Sequence, residues 1–251
     1  MFSLNGKTAL ITGSSRGLGL VIARGLGKAG AKIILNGRNE ESLVEARRIC
    51  INNGIETDYI IFDVFNEMQV RDQINHIEQK SGGVDILVNN AGIHKRKPLT
   101  DMNMEEWQTV LDVNLTGAFL VAREIVKGMI RRSHGKIINI CSLMSEIGRE
   151  TTGNYTAAKG GLKMLTKAMA VEWAKFNIQV NGIGPGYFLT DLTKPLSEDS
   201  EFDSWLKKRT PAGRWGDPEE LVGTAVFLAS EASNFINGQI IYVDGGFLAS
   251  V

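Results

Sequence analysis

The stretch Thr8-Ala9-Leu10-Ile11-Thr12-Gly13-Ser14-Ser15-Arg16-Gly17-Leu18-Gly19 decides the fold. A short apolar run ends at Thr12, three glycines follow, and residues 17–29 then predict a helix. Gly13 allows a tight turn, Gly17 lets the backbone approach a pyrophosphate, and Gly19 lets the helix pack on the strand. Amide groups at the start of such a helix bind phosphate. A glycine cluster alone could be a structural turn, but its place between a strand and a helix predicts a dinucleotide site.

Six further apolar runs follow, separated by longer helical patterns, at residues 32–35, 59–62, 86–88, 136–140, 178–180 and 240–243. Apolar strands that alternate with helices predict a parallel sheet covered on both faces. We therefore expect one α/β domain over residues 1–251, with a Rossmann-type doubly wound sheet of seven strands and helices on both faces. The least regular stretch, 187–215, contains two prolines and is expected to form a substrate lid.

The charge balance excludes several classes of partner. Lys+Arg and Asp+Glu both number 28, so the formal net charge is zero and neither nucleic acid nor an anionic membrane is an expected partner. Cys50 and Cys141 are too few for a disulfide framework, and residues 1–7 lack a signal sequence, so we expect a cytoplasmic protein. The three histidines do not cluster with carboxylates or cysteines at ligand spacing, so no catalytic metal is expected.

Tyr155 and Lys159 are four residues apart and therefore share one face of a helix. A free tyrosine has a pKa of about 10, and an adjacent ammonium group should lower that pKa. Tyr155 could then act as acid in a reduction and as base in an oxidation, while Ser142 polarises the same substrate oxygen. Taken singly, the tyrosine could be a packing residue and the serine a helix cap.

The residues after the second strand predict the cofactor. Asn36-Gly37-Arg38-Asn39 has no acidic residue to bind a ribose 2′-hydroxyl, whereas Arg38 can bind a 2′-phosphate. Arg16, inside the glycine turn, is a second candidate. We expect preference for NADP(H), with NAD(H) as the alternative cofactor, although Arg38 could also be a solvated residue at a helix start.

These motifs together resemble the short-chain dehydrogenase/reductase family over nearly the whole chain. The resemblance implies a catalytic tetrad of Asn114, Ser142, Tyr155 and Lys159, in which Asn114 binds a water that relays protons from Lys159. It implies a cofactor site that comprises Gly13, Ser15, Arg16, Gly17, Leu18, Gly19, Arg38, Asp63, Val64, Asn90, Ala91, Gly92, Tyr155, Lys159, Pro185, Gly186, Phe188 and Thr190. Family members commonly form tetramers through two long helices, which here correspond to residues 104–132 and 154–176, so a homotetramer is expected.

Within the family, the stretches 139–151, 177–187 and 209–216 resemble members that act on sugar acids. A sugar acid needs a cation for its carboxylate and several hydrogen-bonding groups for its hydroxyls. The expected substrate residues are Arg96 and Arg149 for the carboxylate, Glu146 for hydroxyls, and Ser142, Ser145, Tyr155 and Tyr187 around them.

Each substrate residue also has a structural alternative. The loop at 94–97 could be solvated or belong to a subunit interface, and Glu146 could pair with Arg149. Two other enzyme functions stay open, reduction of a different sugar acid and reduction of a 3-oxoacyl thioester on a carrier protein. A dinucleotide sensor without catalysis is the remaining alternative.

Overall fold

The computed structural model describes residues 1–190 and 193–250, except for the side chain of Ser81. The seven strands are β1 (Thr8–Ile11), β2 (Lys32–Gly37), β3 (Thr57–Ile61), β4 (Ile86–Asn89), β5 (Gly135–Ile140), β6 (Ile178–Pro185) and β7 (Ile240–Val243). The α-helices are α1 (Gly17–Lys28), α2 (Glu40–Asn52), α3 (Glu67–Ser81), α4 (Met104–Leu111), α5 (Gly117–Arg132), α6 (Gly153–Trp173), α7 (Lys194–Ser197), α8 (Ser200–Arg209) and α9 (Val222–Ala229).

All seven strands form one parallel sheet in the order β3-β2-β1-β4-β5-β6-β7. This confirms the predicted fold class. Strands β1 to β3 are added toward one edge of the sheet and strands β4 to β7 toward the other, so the strand order switches between β1 and β4. In such sheets, ligands bind at this switch point, beyond the carboxyl ends of the strands. The loops that follow β1 and β4 carry the glycine turn and Asn90, so the sheet order brings them together.

The strands are apolar because both faces of the sheet are covered. Along β1, Ala9 and Ile11 belong to one buried core and Leu10 belongs to the other, and none of the three is exposed. Successive strand residues point to opposite faces, so a strand in the middle of such a sheet must be apolar at every position. The core thus fixes the sheet as a rigid platform for the loops at its carboxyl edge.

The predicted helix over residues 104–132 is present but is interrupted by a π turn at Asp112–Thr116, which separates α4 from α5. Asn103 and Glu106 form a capping box that fixes the start of α4. In the π turn, the amide of Gly117 donates to the carbonyl of Asp112, five residues earlier. Single π turns inside α-helices occur frequently at functional sites.

The stretch 187–215 is more regular than the sequence predicts, because it contains α7 and α8. Asp199 caps α8 by accepting hydrogen bonds from the amides of Glu201 at 3.0 Å and Phe202 at 3.1 Å. Leu206, a residue of α8, is fully buried and anchors the helix to the rest of the protein. Residues 191 and 192 of the predicted lid lie outside the described residues. None of the helices described has both the length and the apolar character that crossing a membrane requires.

Candidate active site

The glycine turn between β1 and α1 has the shape of a phosphate cradle. Gly13 and Gly17 have φ of 61° and 58°, values that favour glycine. A Cβ on Gly13 would lie 2.8 Å from the Cα of Ala91, whereas a Cβ on Gly17 would meet nothing within 4 Å. The first turn of α1 has neither a side-chain cap nor an acidic residue, so its amides face outward with a positive helix dipole. These features fit a dinucleotide pyrophosphate.

Asn90 and Thr12 hold this turn in place. The Nδ2 of Asn90 donates to the carbonyls of Thr12 at 2.9 Å and Gly13 at 3.0 Å. In return, the hydroxyl of Thr12 accepts from the amides of Asn90 and Ala91, each at 3.0 Å. The side chains of Asn90 and Thr12 therefore fix the glycine turn, and the sequence analysis did not single out Thr12.

Arg38 lies at the end of β2 with its guanidinium 3.6 Å from Asp63, a residue just beyond β3. Its side chain is 70% exposed. An ion pair this exposed contributes little stability, so the guanidinium is available for a phosphate. Two predicted cofactor residues thus lie next to each other beyond β2 and β3, and Val64, which follows Asp63, is buried.

The predicted nicotinamide residues follow β6. The amide of Gly186 donates to Val243 at 2.9 Å, and a Cβ at Gly186 would lie 2.7 Å from the Cα of Asp244. Thr190 bonds to Thr193 through its amide at 2.9 Å. Phe188 is buried in the core, so only its backbone could contact a cofactor. Close packing against the loop after β7 therefore fixes this segment.

Asn114 is buried in the π turn. The nitrogen of its side-chain amide has hydrogen-bond partners, whereas the oxygen has none among the described residues. The Nδ2 atom donates to the carbonyls of Ile93 and Val110, both at 2.9 Å. The Oδ1 atom is buried without a hydrogen-bond partner among the described residues. It faces Gly92, where an added Cβ would lie only 2.6 Å away. Since buried polar atoms are rarely left unpaired, this oxygen is suited to bind a water.

Tyr155 and Lys159 share the inward face of α6, with the Lys159 ammonium 5.6 Å from the centre of the Tyr155 ring. Lys159 is 3% exposed and donates to the carbonyl of Ile140 at 2.6 Å. Ser142 follows β5, and its side chain accepts from the amide of Met144 at 3.2 Å. The predicted tyrosine, lysine and serine therefore meet at one end of the sheet.

The sequence analysis predicted a lowered pKa for Tyr155, and this prediction is wrong. The structure raises the pKa of Tyr155 to about 12. Burial of the phenol is the main cause, and a hydrogen bond from Ser142 opposes it. Burial also lowers the pKa of Lys159 to about 8. The ammonium of Lys159 donates to the carbonyl of Ile140, so in this state it does not stabilise a tyrosinate at Tyr155. Tyr155 is thus a protonated donor at neutral pH.

Two cationic side chains, Arg96 and Arg149, lie near His94, whose ring packs on that of Tyr155. Partial burial lowers the pKa of Arg96, and the positive charge of Arg149 lowers it further. Within the described residues, neither guanidinium has a carboxylate partner. Two uncompensated positive charges at the mouth of a site favour an anionic ligand.

Backbone contacts bring these arginines together from separate loops. The amide of Lys97 donates to the carbonyl of Thr151 at 3.0 Å, which joins the loop after β4 to the loop after β5. Thr151 has φ of 66°, a strained value for a β-branched residue. Asn154 is fully buried, and its Nδ2 donates to the carbonyl of Lys95 at 3.2 Å. The residue before Tyr155 therefore anchors the arginine-bearing loop to α6.

Arg149 connects the cationic pair to the predicted lid. Its Nη1 donates to the hydroxyl of Tyr187 at 3.3 Å, and its guanidinium lies over the ring of Phe202 at 4.4 Å. Tyr187 also contacts Trp205 and Trp215 edge-on, with ring centres 6.5 and 6.0 Å apart. Residues from α8 and its flanking loops therefore form an aromatic wall against the site.

Two of the predicted substrate residues are used elsewhere. Glu146 accepts from Lys163 at 2.6 Å and from the Tyr242 hydroxyl at 2.7 Å, and it does not pair with Arg149. The Ser145 hydroxyl donates to the carbonyl of Lys159 at 3.0 Å and accepts from the amide of Ser142. Both side chains therefore secure the local structure, Glu146 through partners on α6 and β7 and Ser145 through the backbone of Lys159 and Ser142.

His94 was not among the predicted site residues, although the structure places it at the centre of the group. Its ring centre is 4.6 Å from that of Tyr155. Burial, followed by the charges of Arg96 and Arg149, lowers the pKa of His94 to about 4. The sequence did contain a signal, since His94 follows a strand at the carboxyl edge of the sheet. No cluster of three potential metal ligands occurs in the described parts of the chain.

A family model and several known proteins match nearly the whole chain. The family model for enoyl-(acyl carrier protein) reductase matches residues 13–248. The 5-keto-D-gluconate 5-reductase of Escherichia coli is 51% identical over 251 residues, which cover 100% of this chain and 99% of that protein. The 2-dehydro-3-deoxy-D-gluconate 5-dehydrogenase of Formosa agariphila is 50% identical over 253 residues, with coverage of 100% and 96%.

A solved structure supports the same grouping. The crystal structure of a gluconate 5-dehydrogenase from Burkholderia cenocepacia in complex with NADP and tartrate superposes with a TM-score of 0.97 at 51% identity. The match covers 100% of this chain and 98% of that one.

Proposed function

The chain belongs to the short-chain dehydrogenase/reductase family, and we propose that it is an NADP(H)-dependent oxidoreductase that interconverts D-gluconate and 5-keto-D-gluconate. The observation that carries this proposal is the pair of guanidinium groups, Arg96 and Arg149, near His94, whose ring contacts the Tyr155 proton donor. A substrate with a carboxylate at one end and a carbonyl or alcohol further along its chain satisfies both features.

The chemistry follows from the positions of the side chains. When bound, the reduced nicotinamide supplies the hydride to the carbonyl carbon. Tyr155 donates the proton to the carbonyl oxygen, and the Ser142 hydroxyl donates a hydrogen bond to the same oxygen. Lys159 holds an ammonium next to Tyr155, and the buried Oδ1 of Asn114 binds the water through which the proton is replaced. In the oxidation, each proton moves in the reverse direction.

Several features support NADP(H) as the cofactor. The glycine turn offers uncapped amides to the pyrophosphate, and Arg38 places an exposed guanidinium where an acidic residue would select NAD(H). The relative from Burkholderia cenocepacia was crystallised with NADP. Asp63, Val64, Asn90, Ala91 and Gly92 would line the adenosine side, and Pro185 to Thr190 the nicotinamide side. NAD(H) remains the second cofactor to test.

A homotetramer in the cytoplasm is part of the same proposal. Val171 and Met164 on α6 are 82% and 59% exposed, and Phe119 on α5 is 39% exposed. Apolar side chains exposed on two long helices suit pairing with other copies of the chain. Buried free thiols at Cys50 and Cys141 suit a reducing compartment. Sedimentation at monomer mass would contradict the tetramer.

The aromatic wall supports a lid role for residues 187–215. Tyr187, Phe202 and Trp205 contact one another and Arg149, so this segment covers the anion site from one side. Its movement would control access of the sugar acid to Tyr155.

A second candidate function is oxidation of 2-dehydro-3-deoxy-D-gluconate at the same carbon, which the relative from Formosa agariphila favours. The deciding experiment follows absorbance at 340 nm with 5-keto-D-gluconate and either NADPH or NADH. Oxidation of 2-dehydro-3-deoxy-D-gluconate is then measured with NADP+ and NAD+, and acetoacetyl thioester serves as a substrate without a carboxylate. Rapid turnover of 5-keto-D-gluconate with NADPH is expected. Turnover of the thioester alone would refute the sugar-acid proposal.

A further inference from the structure

We propose that His94 is a specificity-determining residue whose imidazole binds the hydroxyl groups that D-gluconate carries at C2 and C3 and that 2-dehydro-3-deoxy-D-gluconate lacks. This inference rests on the proposed function. It concerns the choice between the two sugar acids, not the reaction itself.

His94 lies next to Tyr155, the proposed proton donor. The imidazole packs on the Tyr155 ring at a centre-to-centre distance of 4.6 Å and an interplanar angle of 57°. Tyr155 marks the substrate carbon that exchanges the hydride, which in D-gluconate is C5. A group in contact with the Tyr155 ring is therefore within reach of the part of the substrate next to C5.

The arginine pair fixes the other end of the substrate. The charges of Arg96 and Arg149 both act on His94, so the imidazole lies close to the groups proposed to bind the C1 carboxylate. Three carbons, C2 to C4, separate C1 from C5 in the sugar acid. An imidazole that is near both the carboxylate site and the proton donor therefore faces these intermediate carbons.

The state of the imidazole suits hydroxyl recognition. The charged and titratable groups near it are Arg96 in its own loop, Arg149 beyond β5 and Tyr155 on α6, while Tyr187 beyond β6 acts on Arg96 and Tyr155. With a pKa of about 4, lowered mainly by burial, the ring is neutral at pH 7 and presents one donor and one acceptor nitrogen. Neither nitrogen hydrogen-bonds to the described part of the chain, so both are available to a substrate.

The two candidate substrates differ where His94 would bind. D-gluconate has hydroxyl groups at C2 and C3, whereas 2-dehydro-3-deoxy-D-gluconate has a carbonyl at C2 and only hydrogens at C3. A neutral imidazole can accept from one hydroxyl and donate to another, and the deoxy substrate would leave one of these bonds unmade. Sites that hydrogen-bond a hydroxyl discriminate against the analogue that lacks it.

The test compares kcat/KM for NADP+-dependent oxidation of the two sugar acids by wild type and His94→Phe. The phenyl ring keeps the packing on Tyr155 and removes both nitrogens. We expect kcat/KM for D-gluconate to fall about 100-fold, the factor that corresponds to two hydrogen bonds of about 1.4 kcal/mol each. The value for 2-dehydro-3-deoxy-D-gluconate should fall only about tenfold, because its C2 carbonyl accepts one bond from the imidazole and its C3 offers none. His94→Gln, which retains a donor and an acceptor, should recover part of the preference for D-gluconate.

The controls separate this inference from the proposed function. His76→Gln changes an exposed histidine on α3 and should leave both kcat/KM values unchanged. NADPH binding, followed by its fluorescence, should be the same in all variants and confirms that they fold. Equal losses for both substrates in His94→Phe, or no loss for either, would overturn the role of His94 alone. A folded wild type that oxidises neither sugar acid would refute the proposed function and, with it, this inference.

Discussion

Replacing Arg96 with glutamine should weaken binding of the sugar acid without weakening binding of the cofactor. Arg96 lies at the exposed rim of the site, and its guanidinium has no carboxylate partner in the described structure, so the substitution leaves no buried charge unpaired. A hydrogen bond to a charged group contributes about 1.5–3 kcal/mol, and the exposed position and the remaining Arg149 favour the lower end. We therefore expect KM for 5-keto-D-gluconate to rise about tenfold and kcat to change less than about twofold.

The neighbouring Lys95 provides the matched control. Lys95→Gln removes the same charge from an exposed residue of the same loop, but Lys95 does not act on the pKa of His94 as Arg96 does. Initial rates at 340 nm over a range of 5-keto-D-gluconate concentrations should show the KM increase only in Arg96→Gln. An equal increase in both variants would mean that long-range attraction, not a defined carboxylate site, is responsible.

A second readout does not depend on turnover. The positive charge of Arg96 lowers the pKa of His94, so its removal must raise that pKa above the value of about 4. The chain has only three histidines, so the ring-proton signal of His94 can be assigned by its loss in His94→Phe. An NMR titration midpoint that does not move in Arg96→Gln would refute the placement of Arg96 beside His94.

Three further predictions concern the reaction and the cofactor. Tyr155→Phe should lower kcat by about 10²- to 10⁴-fold in both directions while NADPH affinity stays the same, since only the proton donor is removed, and stopped-flow rates near wild type would contradict this. Because the pKa of Tyr155 is raised to about 12, its protonated form persists across the neutral range. In pH–rate profiles, kcat for reduction should therefore stay constant from pH 6 to 7 and fall only as the Lys159 ammonium, with a pKa of about 8, loses its proton, and kcat for oxidation should rise with pH in the neutral range. Arg38→Gln should raise KM for NADPH about tenfold and leave KM for NADH unchanged; a change in both would assign Arg38 a role outside phosphate binding.

The sequence predicted the sheet correctly, and it predicted that Tyr155 and Lys159 share one helix face, because both features depend on local patterns. Continuous apolar runs indicate strands covered on both faces, and the spacing of Tyr155 and Lys159 puts them on one helix face. The sugar-acid resemblance also agrees with the relatives found. The two arginines of the predicted carboxylate site do lie together.

The failures involve contacts between distant segments. Glu146 pairs with Lys163 and Tyr242, residues 17 and 96 positions away along the chain, and no local pattern indicates such partners. The direction of the Tyr155 pKa depends on how deeply the ring is buried and on the Lys159 bond to Ile140, which spacing alone does not determine. The sequence analysis did not predict α8, because this helix is polar on most of its surface and its apolar pattern is weak.

The π turn at Asp112–Thr116 also constrains the length of the chain. A π turn holds one residue more than the regular helical path, and each residue of an α-helix turns by about 100°. Deleting Val113 would therefore restore one continuous helix from α4 to α5 and keep the buried face of α5, with Val121 and Ile125, against its core. The change would fall on Asn114, which lies inside the π turn, so a single-residue deletion here should displace that side chain while the packing of α5 is kept.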